Sequence, residues 1–99
     1  MVLKKLKRET EIVLRHLEVL QFVRKNQPIG IFKLAEALSL PKHKVRYSLR
    51  VLEQSGIIEP TQHGAVLRKE ADRIIKNLKR EIEEINKSIE KINEILGEI

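Results

Sequence analysis

The sequence predicts a mostly α-helical fold with one small β-hairpin and a long C-terminal helix. Three observations predict it: helical spacing of apolar residues in the first half, a short stretch rich in β-favouring residues around position 60, and a heptad repeat in the last third. With 99 residues, the chain has room for one small domain and one appendage. A core of that size is modest, so a partner subunit would help to bury the remaining apolar surface.

One helix is predicted over residues 2 to about 26, because apolar residues recur there on one face at spacings of three, four or seven. That face consists of Leu3, Leu6, Val13, Leu17 and Leu20, and Ile12, Val19 and Val23 widen it. Pro28 ends the helix, since proline lacks the N–H that a helix interior requires.

Two shorter helices follow. The apolar face of the first is formed by Ile31, Leu34, Ala35 and Leu38. Gly30 is a tolerable N-cap for this helix. Pro41 suits the first turn of the next helix, where a missing N–H costs nothing. That helix is expected to run to about Gln54, with Gly56 as its left-handed cap.

A small β-hairpin is expected next, formed by the runs GIIEP and GAVL with TQH between them. Ile57 and Ile58 favour a strand. Pro60 and Gly64 are expected in the connecting loop. Strands this short are not stable alone, so the hairpin must pack on the helices.

The last third of the chain carries an unbroken heptad repeat, which is the strongest periodic signal in the sequence. The a positions are Ile75, Ile82, Ile89 and Leu96, and the d positions are Ala71, Leu78, Ile85, Ile92 and Ile99. At about 1.5 Å per residue this helix is roughly 43 Å long, which exceeds the core of so small a domain. A second chain is the natural cover for the rest of the seam.

Three helices followed by a hairpin are the elements of a winged helix-turn-helix. The stretch IFKLAEALSLPKHKVRYSLRVLEQSGIIEP resembles winged-helix transcription regulators of bacteria and archaea, of the multiple-antibiotic-resistance and arsenical-resistance repressor type. LSLP resembles the turn of that family, and VRYSLRVLEQSGII resembles its recognition helix and wing entry. The resemblance covers roughly residues 12 to 67 and implies a DNA-binding regulator, here of an archaeal type. The short wing, without Lys or Arg at its tip, departs from the family pattern.

The charge of the chain is unevenly distributed and independently predicts a polyanionic partner. The net charge is +6, but residues 1 to 50 hold 12 Lys or Arg against 4 Asp or Glu, a net +8, and residues 51 to 99 carry a net −2. A basic half of this kind favours nucleic acid as the partner.

The third helix is expected to bury one face and to present a basic face to double-stranded DNA. Val45, Leu49 and Leu52 share the inward face, and a major groove about 12 Å wide admits such a helix. The predicted DNA-binding residues are Lys33, Lys42, His43, Lys44, Arg46, Tyr47, Arg50 and Arg68. Arg46 and Arg50 are expected to pair with guanine edges or to clamp phosphates, and the lysines and Arg68 to hold phosphates.

The heptad seam predicts a homodimer. Its interface is expected to contain Ala71, Ile75, Leu78, Ile82, Ile85, Ile89, Ile92 and Leu96. The expected organisation is a winged helix-turn-helix domain over residues 1–67 and a coiled-coil dimerisation helix over residues 68–99. The tail folding back along the first helix is the alternative, and both arrangements can coexist. Isoleucine at both a and d also favours higher oligomers in parallel coils, and the seam leaves strand orientation open.

Other classes of function find little support in the sequence. The chain has no Cys, and no two of its three histidines, His16, His43 and His63, stand at i, i+3 or i+4, so neither a metal nor another cofactor is expected. No catalytic constellation is present, and the protein is expected not to be an enzyme. No apolar run approaches the roughly 18 residues of a membrane span, so a cytoplasmic protein without membrane contact is expected.

The function predicted from the sequence is therefore a sequence-specific double-stranded DNA-binding transcription regulator acting as a homodimer. The alternative is a winged-helix adaptor that binds proteins within a larger assembly. Structured RNA stays open as a partner, but an aromatic content of 3% argues against a stacking platform for single strands.

Overall fold

The computed structural model of the protein describes residues 2–99, and the side chains of residues 3–99. Its elements are α1 (Val2–Asn26), α2 (Ile31–Leu38), α3 (Lys42–Gln54), β1 (Ile58–Thr61), β2 (Gly64–Leu67) and α4 (Ala71–Glu98). This order confirms a mostly helical winged helix-turn-helix with a long C-terminal helix. The molecule measures 55 × 29 × 20 Å, because α1 and α4 both extend beyond the core.

The hydrophobic core lies where α1, α2, α3 and the hairpin meet. Leu34 of α2, Val45 of α3 and Ile57 after α3 are at most 1% exposed and form its centre. The other buried apolar residues are Val19, Leu20, Val23, Ile29, Ala35, Leu52, Ile58, Ala65 and Ala71. One continuous cluster of this kind holds α3 rigidly against the rest of the domain.

Only the second half of α1 is buried in this core. Val19 and Val23 are fully buried, whereas Leu6 and Val13, on the same predicted stripe, are 39% and 43% exposed. The predicted helix is confirmed. Its first half projects past the core and leaves its apolar face half-exposed.

The turn between α2 and α3 is closed by a residue in the left-handed conformation. Ser39 has φ of 54°, and the N–H of Leu40 donates to the carbonyl of Ala35 over 3.0 Å. Pro41 has an extended ψ of 145° and therefore precedes α3 instead of standing in its first turn. Its carbonyl still accepts the N–H groups of Lys44 and Val45, so it acts as the N-cap residue.

The wing is an antiparallel hairpin in which Pro60 pairs with Ala65 and Thr61 with Gly64. Pro60 and Gly64 therefore lie within the strands, and the prediction that they form the loop is wrong. Proline is tolerated there because β1 is an edge strand with no neighbour on its other side in the described sheet. Ile29 bridges to Ala65 on the far side of β2, with hydrogen bonds of 3.2 and 2.8 Å.

Gly64 makes this bridge possible. Its φ is +127°, and a Cβ there would lie 2.5 Å from the carbonyl carbon of Ile29. No L side chain fits at that distance, so glycine is required where the chain after α1 crosses the wing. Gly56, with φ of +79°, is the predicted left-handed cap after α3.

Helix α4 begins on the core and then leaves it. Ala71 is 2% exposed, and Ile75 and Leu78 pack against the core. From Ile82 onward the apolar seam is mostly exposed, while its proximal part faces α1 across a groove lined by both helices. We call residues 3–17 of α1 together with residues 82–99 of α4 the helical arm.

Candidate nucleic-acid interface

Helix α3 buries one face and exposes the other, as the sequence predicts. Val45, Ser48 and Leu52 are buried and Leu49 is half-buried, all within one stripe of the helix. The predicted inward face omitted Ser48. Its position three residues after Val45 and four before Leu52 is the signal that places it on that stripe.

The outer face of α3 is basic and open to solvent. At about 100° per residue, His43 and Arg50 stand at its centre, with Arg46 on one side and Tyr47 on the other. All four are exposed, and Tyr47 keeps 48% of its surface. These side chains stand on one face of an α-helix, an element that a major groove admits.

Two lysines flank this face on opposite sides. Lys42 lies on the α2 side, where its Nζ is 4.2 Å from the ring centroid of Phe32. Phe32 is 67% exposed, so this cation–π contact sits at the surface and restrains the lysine at the start of the helix. Lys44 lies on the α1 side, in a cleft that it shares with Arg8 and Arg15.

The N-terminus of α3 adds a further positive end to the face. Pro41 offers no side-chain cap, and the first turn contains no acidic residue. The first N–H groups of a helix have no partner inside it, and the macrodipole places partial positive charge there. This arrangement favours a phosphate beside Lys42 and His43.

The two remaining predicted contacts lie away from α3 and have different surroundings. Lys33 is exposed on α2 and lines a cleft together with Glu36 and Phe22. Arg68 follows the wing and pairs with Glu59 over 3.9 Å and with Glu70 over 3.4 Å. A backbone hydrogen bond and the bond from Arg68 lower the pKa of the Glu70 carboxyl. A phosphate at Arg68 would have to compete with two carboxylates.

A buried polar contact beneath the recognition helix was not anticipated. His16 of α1 is 9% exposed and Ser48 is fully buried, and Nδ1 of His16 lies 2.7 Å from Oγ of Ser48. The Nε–H of Arg15 donates to the same oxygen over a long 3.4 Å. Desolvation by burial, followed by the charge of Arg15, lowers the pKa of His16. Burial therefore favours the neutral imidazole, which shares a hydrogen bond with the Ser48 hydroxyl.

The wing presents a short polar tip. Gln62 and His63 form the turn, the Thr61 hydroxyl donates to the Gly64 carbonyl over 2.6 Å, and it accepts the His63 N–H over 3.2 Å. The tip is compact and carries neither Lys nor Arg. The wing tip therefore adds no Lys or Arg to the basic face of α3.

The described residues were also searched for metal-binding clusters and for helices that could span a membrane. Within residues 2–99 no three His, Asp or Glu side chains are grouped so as to hold a metal ion. Within the same range no helix has both the length and the apolar character that crossing a bilayer requires.

Comparison with protein families identifies the family of this chain. The sequence profile described as "CggR N-terminal DNA binding domain" matches residues 12–82. The chain belongs to this family. The match includes all of α2, α3 and the wing, together with the buried part of α1 and the start of α4. The basic face of α3 therefore lies within the segment that matches this DNA-binding domain family.

Comparison with solved structures supports the fold. The chain is similar to Staphylococcus aureus MarR in complex with salicylate and kanamycin, with a TM-score of 0.51 and 14% sequence identity. The match covers 87% of this chain and 66% of the MarR chain. At this identity the likeness concerns the fold, and it confirms the winged-helix expectation. No curated protein matches the chain.

Proposed function

We propose that this CggR-family domain is a sequence-specific regulator of transcription that binds double-stranded DNA as a homodimer. The observation that carries the proposal is the outer face of α3, where Arg46, Tyr47 and Arg50 stand exposed on a helix whose other face is locked into the core. A rigid helix of this kind presents its side chains to base edges at low entropic cost.

Within that face we assign two kinds of role. Arg46 and Arg50 are one helical turn apart, and a guanidinium matches the O6 and N7 acceptors of guanine. Lys42, Lys44 and the N-terminus of α3 hold phosphates on either side and set the register of the helix in the groove. Tyr47 donates its hydroxyl to phosphate or packs its ring on a thymine methyl group.

The helical arm supports the homodimer. Ala71 is buried by its own chain, and Ile75 and Leu78 pack on the core, so the surface offered to a partner begins at Ile82. The exposed apolar side chains of the arm are Leu3, Leu6, Val13, Leu14, Leu17, Ile82, Ile85, Ile92, Ile95, Leu96 and Ile99. A second copy covers them by packing its own arm alongside, which buries α1 together with α4 in a four-helix arrangement.

Dimerisation matters for affinity because one domain makes few phosphate contacts. Two linked domains bind with a single loss of translational and rotational freedom. In a two-fold dimer the two α3 helices would enter successive major grooves, with half-sites roughly 34 Å apart. The binding site should therefore be palindromic.

The test is selection of bound duplexes from a random pool, with the oligomer mass measured in the same buffer. An enriched palindrome bound by a dimer is the expected result. Charge reversal by Arg46→Glu together with Arg50→Glu should abolish binding. The matched control, Arg73→Glu together with Arg80→Glu on α4, should leave the sequence preference intact. A monomer that enriches no sequence would contradict the proposal.

The second candidate function is a protein-interaction adaptor, in which the exposed arm binds another chain. It shares the exposed apolar arm with the first proposal but gives no role to the basic face of α3. A salt titration separates them, because phosphate contacts make affinity fall steeply with salt. Failure to bind any duplex at low salt would favour the adaptor.

A further inference from the structure

We propose that Arg15 of α1 binds a DNA backbone phosphate beside the recognition helix and is held in place for this by Ser48. The inference rests on the proposed DNA-binding function and extends its surface from α3 to α1. It adds to the site a residue that is neither on the recognition helix nor on the wing.

The position of Arg15 supports this role. Its Nε lies 3.4 Å from Oγ of Ser48, and its guanidinium carbon lies 6.0 Å from the ring centroid of Tyr47. Tyr47 is on the outer face of α3 and Ser48 on the buried face, so Arg15 stands at the edge between them. The guanidinium is thus fixed at the border of the surface that meets DNA.

The surroundings of Arg15 form a cationic cleft. Arg8, Arg15 and Lys44 line an open cleft of about 360 Å³ between α1 and α3. Glu11 and Glu18 also line it, yet no ion pair within 4.0 Å joins either carboxylate to these three cations in the described part of the chain. Three cations against two carboxylates leave the cleft with net positive charge. A phosphate oxygen is the partner that this arrangement fits.

Two other arginines of the chain, unlike Arg15, are paired with carboxylates. Arg24, on the same helix, pairs with Asp72 over 3.2 Å, and Arg68 pairs with Glu59 and Glu70. Their guanidinium groups are already paired with carboxylates, whereas among residues 3–99 the one hydrogen bond from the Arg15 guanidinium goes from Nε to a neutral hydroxyl. Its two terminal nitrogens remain available for the paired hydrogen bonds that a phosphate accepts.

Ser48 acts as a positioning residue. Its single hydroxyl accepts from Arg15 and lies 2.7 Å from Nδ1 of His16, which is buried behind it. Because Ser48 is fully buried and α3 is fixed by the core, the hydroxyl has little freedom to move. Holding the arginine in advance lowers the side-chain entropy that phosphate binding would otherwise cost.

The experiment compares Arg15→Gln with Arg80→Gln, which removes the same charge from an exposed position on α4. Binding to the selected duplex is measured as a function of salt. The association constant falls as salt rises, and each phosphate contact makes the slope of log K against log salt concentration steeper by about 0.9. Arg15→Gln should therefore make this slope shallower by about 0.9 per bound protomer. It should also weaken binding on the order of tenfold, equally for matched and mismatched duplexes. Arg80→Gln should leave the slope unchanged.

A scan of single methylphosphonate substitutions tests the same contact from the DNA side. One phosphate should be found whose neutralisation weakens the wild type and has little effect on Arg15→Gln. If Arg15→Gln lowers the melting temperature of the protein, Arg15→Lys replaces it, because lysine keeps the positive charge and loses the paired hydrogen-bond geometry. Neutralising that phosphate should then weaken DNA binding less in Arg15→Lys than in the wild type.

Ser48→Ala should weaken DNA binding by part of the loss that Arg15→Gln causes. In the double variant it should weaken binding little further, since both changes act through one contact.

An unchanged salt slope in Arg15→Gln, with the wild type bound to DNA, overturns the Arg15 assignment and leaves the proposed function standing. An altered base preference in Arg15→Gln overturns it as well. Absence of any duplex binding by the wild type would instead refute the proposed function.

Discussion

Nδ1 of His16 and Oγ of Ser48 lie 2.7 Å apart and join α1 to the buried side of the recognition helix. Both side chains are almost wholly removed from solvent, and no buried side-chain nitrogen or oxygen among the described residues lacks a partner. A neutral pair of this kind satisfies its polar atoms without the desolvation cost of a buried charge. The pair adds a polar link between α1 and α3 beside their apolar contacts in the core.

Removing the Ser48 hydroxyl should destabilise the protein. In Ser48→Ala the buried Nδ1 of His16 loses its partner, which costs about 1–3 kcal/mol in the free energy of unfolding. Urea denaturation measures the change. Ser88→Ala, which removes a hydroxyl from an exposed site on α4, should change stability by less than about 0.5 kcal/mol. Equal losses in the two variants would contradict a stabilising role for the pair.

Stability should fall as the pH drops below the ordinary pKa of histidine. Burial and then Arg15 lower the pKa of His16 from 6.5, so the unfolded state binds its proton first on acidification. The contribution of His16 is therefore complete above pH 6.5 and is lost as the pH falls from there toward the lowered value. Denaturation at a series of pH values between about 5 and 7.5 should show this slope in the wild type. The slope should flatten in His16→Gln, and an equal slope in both proteins would assign the pH dependence to other groups.

Adding a methyl group at Gly64 should disrupt the packing of the wing on α1. The new Cβ would meet the backbone of Ile29 at 2.5 Å, at a φ of +127°. Strain and overpacking together should cost on the order of 2–4 kcal/mol. Gly97→Ala is the matched control, because nothing lies within 4 Å of its Cβ position. Thermal denaturation should show a large loss for Gly64→Ala and none for Gly97→Ala.

A polar residue in the exposed seam of α4 should weaken the proposed dimer. Ile92 is 41% exposed in the single chain. Burial of an isoleucine contributes about 1.5–3 kcal/mol, so Ile92→Gln should raise the dimer dissociation constant at least tenfold. Sedimentation equilibrium measures this constant. Lys91→Gln, on an outer heptad position, should leave it unchanged, and an unaffected dimer in Ile92→Gln would remove α4 from the interface.

Much of the architecture could be predicted from spacing and turn chemistry. The ends of α1 at Asn26 and of α3 at Gln54 agree with the prediction, because a proline or a glycine follows each helix closely. The sequence also predicts the wing, but the prediction that Pro60 and Gly64 lie in its loop is wrong. A proline signals a turn and also tolerates an edge strand, and local sequence alone does not separate these two cases.

The sequence by itself determined the helices, the hairpin and the basic outer face of α3, since local propensity and periodicity act between residues a few positions apart. Tertiary structure alone decided that Ser48 meets His16, that Arg15 stands beside Tyr47, and that Gly64 lets Ile29 cross the wing. It also decided where α1 and α4 leave the core. These features join residues more than thirty positions apart, or depend on how far a core extends along a helix. Periodicity reveals which face of a helix is apolar, but only packing determines what covers that face.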